Sequence, residues 1–390
     1  MKIKSIKARP ELDSRGEWTI EVRLKLHNGI ESVASVPQGK SRGSSEAVYV
    51  PPKVAVRNIE KIISPALKGI HTGNQNLIDH SLVKLDGTKN KSKLGANATL
   101  GVSIAAAKAA ALSQNIPLWK HIAHLLQYKH TKDYFPKLFI NVVNGGLHTK
   151  NNLDFQEYLI IPKSNNITES IKIGLALYKN LGEYLGKHFG KGATGLGDEG
   201  GFAPNLEDNL EPFRILTHVA KVSHLQNKIQ FGLDAAASNI KKSPPELFKL
   251  YAELKSKYQL HYLEDPFKEK DFKNFTKLNR LIGKNTLVCG DDLTTTNVEL
   301  MKKAHAAKSI NSIIIKPNQI GTLTETLAAV ELAKKWGWKV VVSHRSGETQ
   351  DDFIADLAYG SYAYGLKLGA PARGERIAKY NRLLQIDREK

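Results

Sequence analysis

The chain has 390 residues, 41% hydrophobic and 24% charged, the make-up of a globular protein with room for one large and one smaller domain. Its single cysteine, Cys289, excludes an intramolecular disulfide. No apolar run is long enough to span a bilayer, and the opening MKIKSIKARP has neither an apolar signal core nor a cleavage site, so a cytoplasmic location is expected. The net charge of +19 is spread along the chain, with small lysine groups at 89–93 and 268–273. No zinc-finger, helix-turn-helix or RNP-like signature accompanies it, so a basic solvated surface is a plainer reading than nucleic-acid binding.

Residues 1–43 read as β structure. Over 19–26, Ile20, Val22, Leu24 and Leu26 alternate with Glu21, Arg23 and Lys25, the period of a half-buried strand. His27-Asn28-Gly29 is a turn signal, and a further strand returns at 32–36. Residues 36–46, VPQGKSRGSSE, form a glycine- and serine-rich loop of the kind that closes over ligands. A helical region over 47–67, broken at Pro51-Pro52, precedes a small-residue helix over 94–112. Pro117 ends that helix, and a short one runs to about residue 128. Strands followed by helices make this part α+β. The charged stretch 129–137, with Pro136, marks the expected boundary between an N-terminal α+β capping domain (1–130) and a C-terminal catalytic domain (138–390).

From residue 138 short apolar runs alternate with helical stretches. The run 138–143 leads to Asn144-Gly145-Gly146 and His148, and 155–161 carries Gln156 and Glu157. Later runs end at Asp234, Glu264, Asp291, Lys316, His344 and Lys367, recurring roughly every 20–30 residues, as one strand plus one helix per unit requires. This series predicts an α/β fold with a C-terminal β/α (TIM-like) barrel.

In such a barrel the active site lies at the C-terminal strand ends. Ile313, Ile314 and Ile315 suit a strand buried on both faces, and Pro317 stops it at Lys316. Asp234, Glu264 and Asp291 end three successive strands, so they converge. Three packed carboxylates repel unless a cation sits between them, and an all-oxygen set points to Mg²⁺ before Zn²⁺. Nearby positive charge is expected to depress the Lys316 pKa and free it as a base. Arg345 and Ser346 suit a phosphate or carboxylate. Glu199, in the turn Gly197-Asp198-Glu199-Gly200-Gly201, suits an acid, with Glu157 beside it. A base and an acid about a metal-bound carboxylate describe β-elimination: loss of an α-proton, then of a β-hydroxyl.

The same residues carry a resemblance to the enolase family, the phosphopyruvate hydratases of glycolysis, over nearly the full chain. Its motifs are ARPELDSRG from Ala8, LGANATLGVS from Leu94, NGGLH from Asn144, QE at Gln156 and GDEGGFAP from Gly197. LEDPF from Leu263, GDDLT from Gly290, KPNQIGTL from Lys316, SHRSGET from Ser343 and GAPARGER from Gly369 complete the series. The resemblance implies that Asp234, Glu264 and Asp291 hold a structural Mg²⁺, and that Ser41 serves a second, substrate-assisted one. It makes Lys316 the base on C2 of 2-phosphoglycerate and Glu199 the acid at the C3 hydroxyl. Glu157 supports Glu199, and His148 helps close the site. Gln156, His344, Arg345, Ser346 and Lys367 bind substrate, the Arg–Ser pair taking its phosphate. The resemblance also implies a homodimer or higher homo-oligomer. It departs at the mobile loop, usually PSGASTG and here PQGKSRG at 37–43, where Gln38, Lys40 and Arg42 replace small or neutral residues. The alternative reading is a non-catalytic or moonlighting homologue with an idle site. It would bind nucleic acid or plasminogen through its basic surface, the latter at the cell surface.

Overall fold

The computed structural model describes residues 1–40, 42–129 and 134–390. Ser41 and part of the expected boundary at 129–137 therefore lie outside the described residues.

The N-terminal part opens with strands β1 (Ile3–Leu12), β2 (Trp18–Leu26) and β3 (Glu31–Ser35), which form one antiparallel sheet in that order. The alternation read over 19–26 has its cause here: Ile20, Val22, Leu24 and Leu26 are all buried. They face the helix Ala96–Ser113, whose run of alanines and Gly101 lets it lie close to the sheet. A Cβ on Gly101 would come within 2.6 Å of the Val22 side chain.

Two helical readings need correction. Pro51 and Pro52 do not interrupt a helix; Pro51 is the extended cap and Pro52 opens the helix Pro52–Asn58, where a missing N–H costs nothing. The helix runs on through a π-helical turn, Ile59–Ile63, into Ser64–Leu67. A π turn accommodates Pro65, which cannot donate within the ladder. A further helix at Gln75–Asp86 matches no sequence expectation. Asn74 caps it by accepting from Leu77 N, Ile78 and Leu82 are buried, and Gly87 ends it at φ 70°.

The second part is a closed eight-stranded barrel. Its strands are β4 (Lys137–Asn144), β5 (Glu157–Pro162), β6 (Ile229–Asp234), β7 (Leu260–Glu264), β8 (Leu287–Gly290), β9 (Ser312–Ile315), β10 (Lys339–Ser343) and β11 (Gly365–Lys367). Phe139, Leu159, Ile161, Tyr262, Cys289, Ile314 and Val341 fill its interior, and a larger apolar core includes the layer between barrel and helices. One strand departs from a simple β/α series. β5 pairs antiparallel with both β4 and β6, while the other neighbours are parallel. It therefore brings its first residue, not its last, to the end where the other strands finish. No helix among the described residues is long and apolar enough to cross a membrane.

The N-terminal part clasps that end of the barrel. Gln38 and Gly347 exchange backbone hydrogen bonds, Ala47 N donates to Gln319 O, and Thr99 Oγ1 donates to Gly321 O.

Candidate active site

The strand register builds the site. Asp234 lies opposite Glu264 across β6 and β7, and opposite Glu157 across β6 and β5. Asp291 follows β8, Lys316 follows β9, His344 follows β10, and Lys367 ends β11. Because β5 runs backwards, Gln156 and Glu157 arrive from its start. His148, Gln156, Glu157, Glu199, Asp291, Lys316, His344, Arg345, Ser346 and Lys367 line one cavity, together with Gly39, Asp292 and Ser343. Asp234 and Glu264 reach it through Lys367.

Lys367 stands at the centre. Its Nζ donates to Asp234 Oδ2 (3.0 Å) and to both oxygens of Glu264 (2.9 and 2.8 Å), and lies 3.2 Å from Glu157 Oε2. Burial alone would lower its pKa, but Asp234, Glu157 and Glu264 hold it well above the ordinary value. Lys316 follows the same logic. Its Nζ donates to Asp291 Oδ2. Burial would lower the amine, yet Asp291 outweighs both burial and the positive charges of Arg345 and Lys367, so Lys316 too is held above its usual range. The expectation that neighbouring cations depress Lys316 is thus corrected: an ion-paired carboxylate in direct contact beats more distant like charges.

The acids show the strain of crowding. Burial and the Asp234 charge push Glu264 up to about 8, against the pull of Lys367. Burial also opposes ionisation of Asp291, but Lys316 keeps it below the usual carboxylate value. Glu264 and Asp291 therefore offer buried oxygens whose ionisation burial opposes and neighbouring positive charge favours, and Asp234 adds a third buried carboxylate. By the chemistry of its donors this set fits a hard divalent cation. A tighter acid group, Asp265, Asp291 and Asp292, shares Asp291 with it and brings ligand oxygens within 4.8 Å of one another.

Across the cavity, His148, Glu157 and Glu199 form a second compact group. Burial and the Glu199 charge drive the Glu157 carboxyl well up. Burial acts on Glu199 too, but His344, His148 and Arg376 pull it well below the usual range. Of these two neighbouring carboxyls, Glu157 is therefore the more readily protonated. Arg376 fixes the imidazole of His344: its Nη1 donates to His344 Nδ1 at 2.7 Å. Arginine has no acceptor, so Nδ1 is the acceptor and the ring's N–H is at Nε2, 3.3 Å from Glu199 Oε2. Burial lowers His344 to about 4, which keeps the ring neutral.

With this geometry established, the comparisons with known proteins become informative. Residues 3–122 match the family model for the enolase N-terminal domain, and 132–244 and 239–390 match that for the enolase C-terminal TIM barrel domain. Enolase B of Dictyostelium discoideum is 42% identical, over 100% of this chain and 95% of its own. The enolase of Methanopyrus kandleri is 42% identical over 100% and 96%, and that of Metallosphaera sedula 43% over 97% and 94%. The chain belongs to the enolase family.

Several residues of this enolase-family site are missed by sequence reasoning. Arg376 is fully buried, and besides His344 it donates to the carbonyls of Arg345 and Ser346, both at 2.7 Å. It props the His344-Arg345-Ser346 turn from behind. The only sequence signal was its place at the end of GAPARGER. Glu46 accepts from both terminal nitrogens of Arg345, at 2.9 and 3.1 Å. Asn141 Nδ2 donates to Glu199 Oε2 at 2.9 Å, and Asp265 accepts the backbone N–H groups of Asp291 and Asp292 at 2.9 and 2.8 Å. An interior asparagine and an acid inside a motif carry no signature that separates support from catalysis.

Lys40 of the altered loop lies against this site. Lys40 N donates to Ser346 Oγ at 2.7 Å, and Lys40 Nζ donates to Asp198 Oδ2 at 3.2 Å. That ion pair is half-exposed, and such pairs contribute at most about 1 kcal/mol. Lys40→Ala is therefore expected to raise KM for the substrate by no more than about fivefold, with the difference shrinking as salt rises. Steady-state kinetics at two ionic strengths check this; a collapse of kcat would make Lys40 part of the machinery instead.

Proposed function

We propose that the chain is a working enolase, a lyase that converts 2-phosphoglycerate reversibly to phosphoenolpyruvate and water in glycolysis and gluconeogenesis. The observation that carries this reading is the convergence of Lys316, Glu199 and the Arg345–Ser346 pair on one polar cavity beside the strand-end acids. Arg345 and Ser346 take the phosphate, the guanidinium exchanging part of its contact with Glu46 for phosphate oxygens. Gln156 and Lys367 orient the substrate carboxylate. His148 and the 37–43 loop close the cavity.

The α-proton of a carboxylate is very weakly acidic. Asp234, Glu264 and Asp291 would hold a Mg²⁺, which would supply positive charge against the second negative charge that develops there. Lys316 Nζ, once its ammonium has given up a proton, takes the proton from C2. Separation from Asp291 removes the contact that keeps the amine charged. Glu199 protonates the departing C3 hydroxyl, drawing a proton from Glu157, the more readily protonated of the two. His344, held neutral by burial, keeps its Nε2 N–H 3.3 Å from Glu199 Oε2 without competing for that proton. The same reading assigns a second, substrate-assisted Mg²⁺ to Ser41, a capping domain at 1–130 and a barrel at 138–390. It also assigns a homodimer and a cytoplasmic location. No observation favours the non-catalytic alternative.

The test is phosphoenolpyruvate formation from 2-phosphoglycerate, followed by ultraviolet absorbance with Mg²⁺ and then with a chelator. Turnover that stops on chelation and returns with added Mg²⁺ is the expected result. Equal rates with and without chelator would overturn the metal requirement, and no turnover from folded, Mg²⁺-loaded protein would overturn the function.

A further inference from the structure

The far end of the barrel carries an unexplained concentration of positive charge. Lys137 opens β4, Lys339 opens β10, and Lys163 follows the last residue of the antiparallel β5. All three therefore sit at the end opposite the active site. Lys137 and Lys339 gather about Tyr364, which precedes β11 and packs on the barrel's interior side chains, and the charge of Lys163 acts on Lys137 and on His261. The Nζ atoms of Lys137 and Lys339 lie 5.7 and 5.4 Å from the centre of its ring. His261 Nε2 is 3.0 Å from Tyr364 Oη.

Among the described residues no carboxylate forms an ion pair with Lys137, Lys163 or Lys339. Burial lowers the Lys137 pKa, and its charged neighbour Lys163 lowers it further. The charges acting on His261 are those of Lys137, Lys255 and Lys163, and together with burial they bring it down to about 4. Helix C-termini attract lysines, and Lys255, which donates to the Leu260 and Asn285 carbonyls, is explained that way. Of the other three, Lys137 and Lys339 stand on strands and Lys163 directly follows one, where no helix end requires them. Like charges held together without a counter-charge are costly, and they form a binding site for an anion of several charges. Lys163 also borders a cavity of about 310 Å³ that Gln230, Lys257 and Gln259 help to line, so an extended anion has room beside the lysines.

We propose that this closed end of the barrel binds a polyphosphate group, held by Lys137 and Lys339 at Tyr364 and by the neighbouring Lys163. The site is separate from the proposed reaction, and its test is independent of turnover. The full-length protein, saturated with Mg²⁺ and phosphoenolpyruvate to fill the active site, is titrated calorimetrically with inorganic tripolyphosphate. Saturable binding is expected that weakens as salt is raised. A Lys137→Gln, Lys163→Gln, Lys339→Gln variant is expected to lose at least about tenfold in affinity while turning over 2-phosphoglycerate like the parent, since three cationic contacts to the phosphates are lost at once. Should that variant misfold, Lys163→Gln with Lys339→Gln, both exposed, gives the same comparison. A parallel titration with ATP separates the possible sources. Tighter binding than tripolyphosphate assigns the adjoining cavity to a nucleoside, and equal binding assigns the site to the phosphate chain alone. No saturable binding to the parent, or undiminished binding to the variants, overturns the proposal.

Discussion

Lys316→Ala is expected to abolish exchange of the substrate's α-proton with solvent and to lower turnover by about 10²–10⁴-fold, the range for loss of a positioned base. The fold has little reason to fail with it. Lys316 lies just beyond β9, and its backbone N–H, which donates to Thr296 Oγ1 at 3.0 Å, is untouched. Loss of the side chain does unpair Asp291, so lost activity alone would not separate a base from a charge partner. Lys316→Arg makes that separation. A guanidinium still pairs with Asp291 but does not deprotonate in the working pH range. Both variants should lack exchange if Lys316 is the base; exchange in the arginine variant would sink the assignment. The parent's pH profile gives a third reading. Asp291 holds the Lys316 amine above its ordinary value, so the basic form is scarce near neutrality. The free protein's kcat/KM should therefore rise with pH on its acid side.

The barrel was legible because its chemistry punctuates its hydrophobic pattern. Asp234, Glu264, Asp291, Lys316, His344 and Lys367 each end an apolar run, and each lies at a strand end. The one strand whose polar residues precede the run, β5, is the one that runs backwards. The position of Gln156 and Glu157 before the apolar residues was the sign of it, but periodicity carries no strand direction. The helix Gln75–Asp86 eluded pattern reading because its apolar residues are few and mixed with His80, Lys84 and Asp86. What defines it is a cap at each end. In the site, residue types that do chemistry stood out, and those that hold them did not. Arg376, Glu46 and Asn141 act through partners remote in sequence, and no spacing rule connects Arg376 to His344 or Glu46 to Arg345. The pKa of Lys316 was misjudged for the same reason. Its sign turns on a contact with one carboxylate, and that contact is a product of the fold.

Glu199→Gln should separate the two halves of the reaction. The amide matches the carboxylate in shape and keeps an oxygen to accept from Asn141 Nδ2, so the cavity is expected to survive. It cannot hand a proton to the departing hydroxyl. Formation of phosphoenolpyruvate should fall by about 10²–10⁴-fold, while α-proton exchange, which needs only Lys316, remains measurable. Removing the Glu199 charge also removes one of the two main causes that hold Glu157 high. The Glu157 pKa should therefore drop, and Glu157 should ionise at a lower pH than in the parent. An infrared or proton-release titration of the two proteins follows that change without reference to turnover. If exchange and water loss fell together while the Glu157 titration moved as expected, Glu199 would be a positioning residue for the base side. If water loss persisted at the parent rate, the acid would have to be sought elsewhere, and Glu157, the carboxyl whose pKa is raised, would be the first residue to replace.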